Sequence, residues 1–181
     1  MIDDRARLLA LIDEYAVKQG HFVLASGRES DFYLDGRMVA LQAEGAYLIG
    51  RLLFAQMKGM DVQAVGGLTL GADPVASAVS IASFLAGQPM NAFIVRKEAK
   101  GHGTQKLVEG PLTAGDRVVI VEDTVTSGAS PLKAAAAVEA LGCTVVAVMV
   151  VIDRNEGARE RIEGAGYLFM PLFTIQDLGL A

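Results

Sequence analysis

The chain has 181 residues, 52% of them hydrophobic and 20% charged, with a net charge of −5. That length suits one domain with a sizeable core, the composition excludes a disordered chain, and the acidic balance argues against nucleic-acid binding through a general basic face. The single Cys143 rules out an internal disulfide and a thiolate metal cage; following Gly142 at the start of an apolar run, it reads as a packed core thiol.

In chain order, Leu8, Leu9, Ile12 and Tyr15 fall at helical spacing within residues 4–19, with Gly20 expected as the C-cap. Asp3, Asp4 and Glu14 break the basic-then-apolar order of a secretion signal. No apolar run reaches the roughly 18 residues of a membrane span, so a cytoplasmic protein is expected. Phe22 to Ala25 and Ser30 to Asp35 read as short strands around the Ser26-Gly27 turn. Ala46, Ile49, Leu53 and Met57 stripe a helix over 43–57. A strand over 62–66 then enters the loop Gly67-Leu68-Thr69-Leu70-Gly71. Asp73-Pro74 is expected to open the next helix as N-cap and first-turn proline, running to about Ala86. Ala92 to Val95 read as a strand and the polar stretch 97–114 as a long loop. Val118 to Val121 form a buried strand, followed by a helix over 132–141. The apolar run 144–152 suits a strand buried on both faces. A short helix from about Glu156 and a strand near 167–172 close the pattern. The alternation from 43 to 152 predicts an α/β fold, a parallel sheet with helices on both faces. Residues 1–40 do not fit it and are expected to cap the C-terminal edge of the sheet, leaving a core over 43–175.

Two stretches carry chemistry. Val118-Val119-Ile120-Val121-Glu122-Asp123-Thr124-Val125-Thr126-Ser127-Gly128 ends a strand in two carboxylates and a loop of small hydroxyl residues. The C-terminal end of a parallel strand is where α/β sheets bind ligands. Small residues let backbone N–H groups close on a phosphate, helped by the next helix N-terminus; paired carboxylates can hold ribose hydroxyls. The second stretch, Arg96-Lys97-Glu98-Ala99-Lys100-Gly101-His102-Gly103-Thr104-Gln105-Lys106, alternates small and basic residues. It fits neither helix face nor strand, and a long loop in a compact domain is often functional; taken alone, a solvated charged loop explains it equally well.

The first stretch resembles the phosphoribosyl-diphosphate (PRPP) signature of the type I phosphoribosyltransferases. Three more blocks narrow the likeness to the orotate phosphoribosyltransferases: Phe22-Val23-Leu24-Ala25-Ser26-Gly27 leading to Asp31-Phe32-Tyr33-Leu34-Asp35, the Arg96 to Lys106 loop, and Asp153-Arg154-Asn155-Glu156-Gly157. The resemblance implies a type I phosphoribosyltransferase-like core with a small N-terminal hood. It also implies transfer of the phosphoribosyl group from PRPP to orotate, giving orotidine 5′-monophosphate and diphosphate in pyrimidine (UMP) biosynthesis.

By the same resemblance, Glu122 and Asp123 hold the ribose hydroxyls, Thr126, Ser127, Gly128, Ala129 and Ser130 wrap the 5′-phosphate of PRPP, and Thr124 and Val125 are counted among the PRPP-binding residues. Arg96, Lys97, Lys100 and His102 contact the diphosphate, with Lys97, Lys100, His102 and Asp123 as the catalytic set. Orotate falls to Arg28, Phe32, Tyr33, Thr126 and Arg154, whose guanidinium fork suits a planar carboxylate. Arg28 stands where many members have lysine. Mg2+ enters with PRPP, near Glu122 and Asp123, with no metal site of the protein's own. A homodimer is implied, the loop 97–109 completing the neighbouring subunit's site. One departure stands out: Leu70 occupies a position where many members have a lysine. Two alternatives are a purine-type phosphoribosyltransferase, against which Arg154 and the N-terminal block argue, and a PRPP-sensing regulator without enzymatic activity. The latter calls for a DNA-binding segment or basic face, which the sequence does not display.

Overall fold

The computed structural model describes residues 3–23, 29–98 and 106–180. Helix α1 (Asp4–Leu11) runs directly into a π-helical turn (Ile12–Ala16), and β1 (Val17–Val23) pairs antiparallel with β2 (Glu29–Leu34). Helices α2 (Arg37–Ala40) and α3 (Ala43–Met57) lead to β3 (Ala64–Leu68), α4 (Ala72–Leu85), β4 (Asn91–Val95) and β5 (Val108–Glu109). Then come β6 (Arg117–Val125), α5 (Ala129–Glu139), β7 (Thr144–Asp153), α6 (Ala158–Gly164) and β8 (Leu168–Thr174).

The main sheet has the order β5-β4-β3-β6-β7-β8, parallel throughout except for the antiparallel β5. Its central strands explain their sequence. Val119 and Val121 join a core with Leu8 of α1, Ile12 of the π-helical turn, Ile49 and Leu53 of α3, and Val75 and Val79 of α4. Val118 and Ile120 pack on the other face against Ala134, Ala135 and Val138 of α5 and Ile162 of α6. A strand buried on both sides has no solvent face to mark with polar residues, so it reads as a continuous apolar run. The strands diverge at β3 and β6: from β3 the chain moves outward to β4, and from β6 it moves the other way to β7 and β8. Such a switch point opens a crevice at the carboxyl ends of the two strands.

The structure revises several boundaries. Residues 17–20 belong to β1, and Gly20 (φ 146°) sits at a register irregularity between Gln19 and Phe22 instead of closing a helix. Antiparallel pairing with β2 outweighs the helical spacing there, which rested on few apolar positions. Asp73 is not the N-cap of α4; that place is Gly71, and Asp73 accepts the Thr69 hydroxyl hydrogen at 2.7 Å from inside the first turn. Helix α5 begins at Ala129, three residues before its expected start, because Pro131 is tolerated in a first turn whose N–H groups have no intrahelical acceptor. The stretch 97–114 contains β5, whose two residues are too few to leave a period in the sequence. Among the described residues, no helix is long and apolar enough to cross a membrane.

Candidate functional site

A cleft of about 240 Å3 lies at the β3/β6 switch point, lined by Arg37, Leu68 to Gly71, Lys97, Glu122, Asp123, Thr124 and Ser130. A larger hollow of about 510 Å3 between α3 and α4 has no carboxylate in its lining and belongs to different chemistry.

Strand β6 delivers Glu122 and Asp123 to the cleft almost fully buried, at 6% and 8% exposure. Backbone presses on them from two sides. A Cβ on Gly71 would collide with Asp123 Oδ1 and Glu122 Oε1, and one on Gly36 would lie 2.9 Å from Asp123 Oδ2. Only glycine permits such approach. Burial pushes the Glu122 carboxyl up to about 9, reinforced by the charge of Asp123 and a hydrogen bond between the two. Asp123 is also raised, chiefly by burial. Near neutral pH the pair therefore holds a proton, carried in the hydrogen bond between the two carboxyls. Thr124 Oγ1 is buried beside them without a hydrogen-bond partner among the described residues, which leaves it open to an incoming polar ligand.

The chain then exposes Thr126, Ser127, Ala129 and Ser130, with Gly128 (φ 76°) as N-cap of α5. A Cβ at Gly128 would stand 3.1 Å from Ile162, so glycine serves both the left-handed turn and contact with α6. Free backbone N–H groups and the dipole of an 11-residue helix meet here, a setting for an anion.

Arg154 follows β7 and is also buried, at 7% exposure. Its N–H donates to Val125 C=O at 3.0 Å, and Asp153 Oδ1 accepts the Asn155 N–H at 2.9 Å, closing a turn in which Asn155 has φ 53°. Asparagine tolerates that conformation. The guanidinium carbon lies 5.3 Å from the centre of the Phe32 ring, and Nε lies 2.8 Å from Glu156 Oε1 as an ion pair. A cation, an aromatic face and the hydroxyl loop thus converge.

Of the residues singled out in the sequence, Lys97, Glu122, Asp123, Thr124 and Ser130 meet in the cleft, and Phe32 joins Arg154. Tyr33 does not: alternate strand residues face opposite ways, and Tyr33 packs on Phe22 with ring centres 5.7 Å apart. Arg96 is turned to Glu109, 3.9 Å away, beside β5. Val125 is buried within β6 and contributes its carbonyl to Arg154. Arg28, Lys100 and His102, and the Ser26-Gly27 turn, lie outside the described residues. Sequence reading missed Arg37 and Gly36, whereas Thr69 belongs to the loop Gly67 to Gly71 that the resemblance assigned to diphosphate. Arg37 follows the quoted Asp31 to Asp35 block by two residues, and its pairing with Asp35 was the available signal. The guanidinium donates to both Asp35 oxygens, at 2.9 and 2.8 Å, and holds the Asp35 carboxyl below the usual range.

Comparison with known proteins bears on the family and the fold. The phosphoribosyl transferase domain family matches residues 64–173. The orotate phosphoribosyltransferase of Corynebacterium glutamicum (strain R) is 48% identical over 99% of this chain and 96% of its own. The crystal structure of Mycobacterium tuberculosis H37Rv orotate phosphoribosyltransferase with Fe(III) dicitrate superposes with a TM-score of 0.90 at 47% identity, covering 98% of this chain and 100% of that one. The same enzyme in complex with PRPP gives 0.85 at 42% identity over 98% and 100% of the two chains.

Proposed function

The chain belongs to the orotate phosphoribosyltransferases, and from that premise we propose that it transfers the 5-phosphoribosyl group of PRPP to orotate, releasing diphosphate, in UMP biosynthesis. The observation that carries this reading is the buried Glu122-Asp123 pair facing a hydroxyl loop at a helix N-terminus.

Orotate is an anion with a nucleophilic ring nitrogen, and the anomeric carbon of PRPP carries a diphosphate leaving group. Bond exchange at that carbon places positive charge on the ribose and adds negative charge to the departing oxygens. The first task of the protein is orientation. In this reading Asp123 accepts from a ribose hydroxyl while the Glu122 carboxyl donates or accepts beside it, which fixes the sugar and offsets the ring cation. Thr126, Ser127, Gly128, Ala129 and Ser130 bind the 5′-phosphate through N–H and O–H donors. Phe32 supports the base and Arg154 pairs with its carboxylate. Lys97, with Lys100 and His102, draws charge from the diphosphate. Closure of that loop would keep out water, the competing nucleophile.

Two buried carboxylates with raised proton affinity, beside a Thr124 hydroxyl that has no hydrogen-bond partner among the described residues, suit a hard cation that prefers oxygen ligands. In this reading Mg2+ arrives on PRPP, with Glu122 and Asp123 as the carboxylates of the cleft nearest to it. When bound, Mg2+ neutralises charge on the diphosphate.

We further propose a homodimer in the cytoplasm, with the loop 97–109 of one subunit serving its partner, and a hood of residues 1–40 over a core of 43–175. The hood is supported by the approach of Gly36 to Asp123 and of Phe32 to Arg154. Mixing the protein with PRPP, Mg2+ and orotate tests the central reading. Orotate's ultraviolet absorbance should fall only when all are present, and adenine or guanine should not substitute; an unchanged absorbance refutes it.

A further inference from the structure

We propose that Arg37 is a diphosphate-binding residue of the cleft, gripping the pyrophosphoryl end of PRPP together with Lys97; this rests on the phosphoribosyltransferase reading above. A diphosphate beside two carboxylates requires cations, and the described residues lining the cleft supply two, Arg37 and Lys97. The turn 69–71 supplies none. The Thr69 N–H donates to Val95 C=O at 2.8 Å, its hydroxyl donates to Asp73 at 2.7 Å, and Leu70 presents an apolar side chain 64% exposed.

Arg37 is prepared for an anion. Its Nε and Nη2 donate to the two Asp35 oxygens, and Asp35 Oδ1 also accepts the Arg37 backbone N–H at 3.1 Å. This fixes the plane of the guanidinium while Nη1 has no hydrogen-bond partner among the described residues. The side chain is 45% exposed, so it is reachable from solvent. The partner Asp35 is more enclosed, at 19%, and its backbone N–H is held by Ala16 C=O at 3.0 Å. A guanidinium braced from behind by a carboxylate loses little freedom on binding phosphate, and its fork matches phosphate oxygens. Arg37 is also close enough to Asp123 to feel its charge, so a ligand spanning ribose and diphosphate meets both.

Calorimetry with three probes, PRPP, inorganic diphosphate and ribose 5-phosphate, each with Mg2+, tests the assignment in wild type, Arg37→Gln, Leu70→Lys and the double variant. Arg37→Gln should weaken PRPP and diphosphate by about 10- to 100-fold, the range for charge-assisted hydrogen bonds, and leave ribose 5-phosphate within about twofold. Leu70→Lys, which puts a cation on the same cleft, should restore much of the loss in the double variant and gain less in wild type. Equal affinities of wild type and Arg37→Gln for PRPP overturn the proposal, as does an equal loss for ribose 5-phosphate, which would mark Arg37 as a brace for the hood. Should the wild type bind neither PRPP nor ribose 5-phosphate, the phosphoribosyltransferase reading itself falls, and Arg37 with it.

Discussion

Replacing Glu122 by glutamine should make the unliganded protein more resistant to alkaline pH while abolishing its use of PRPP. The folded chain keeps a proton on Glu122 up to about pH 9, against a model-compound value of 4.5. Between those limits the native state binds about one proton more than the unfolded state, so stability falls as pH rises, by up to about 1.4 kcal/mol per unit. From about pH 6 to about pH 8 that amounts to roughly 2–3 kcal/mol, or about 5–10 °C in Tm for a chain of this length. Asp123 and Asp73 act on this carboxyl, and Asp35 and Arg37 act on its partner Asp123. Buried Asp153 is raised as well and adds its own slope. Asp123 titrates together with Glu122, so the difference between the two proteins reads the proton retained by the pair. Glutamine keeps the volume and can still donate to Asp123. Thermal melts across pH should therefore give a flatter curve for Glu122→Gln, lying above wild type at about pH 8. Parallel curves, or a variant less stable at about pH 8, would refute the assignment of a retained proton.

Other outcomes follow from the same geometry. Arg154→Ala should raise KM for orotate by at least about 10-fold and leave KM for PRPP nearly unchanged in steady-state kinetics, as expected for loss of a charge-assisted pair. Gly71→Ala places a Cβ against both acidic side chains; we expect a far-ultraviolet spectrum like wild type and PRPP binding weakened by more than about 10-fold. Asp153→Ala removes the acceptor of the Asn155 N–H and should cost about 1–2 kcal/mol in urea unfolding, with a higher KM for orotate because the turn carries Arg154. Lys100→Ala should depress turnover far more than Tm, and normal turnover would take that loop out of the chemistry.

The floor of the cleft was legible in the sequence because β6 is central and buried on both faces. Val118 to Val121 had to be apolar, so Glu122 and Asp123 stood out against them as carboxylates with a purpose. The turn after β7 was legible for a similar reason. The misread features were those that tertiary contact decides. Residues 17–20 pair with β2, and no local pattern distinguished that outcome from one more helical turn. Phe32 and Tyr33 were equivalent as adjacent aromatics until the strand's alternation gave Phe32 to Arg154 and Tyr33 to Phe22. Arg37 escaped notice because an exposed arginine after an aspartate looks like an ordinary surface pair. Its position in the cleft depends on α2 meeting the ends of β3 and β6.

Gly36 and Gly71 come from segments far apart in the chain yet bear on the same two carboxylates. The acidic seat is thus shaped by main chain, which mutation of side chains cannot reposition. Variation that tunes affinity has to be sought at the lip, in residues such as Leu70 and Arg37, and an engineer wanting a different sugar donor would gain little by starting at the bottom of the cavity.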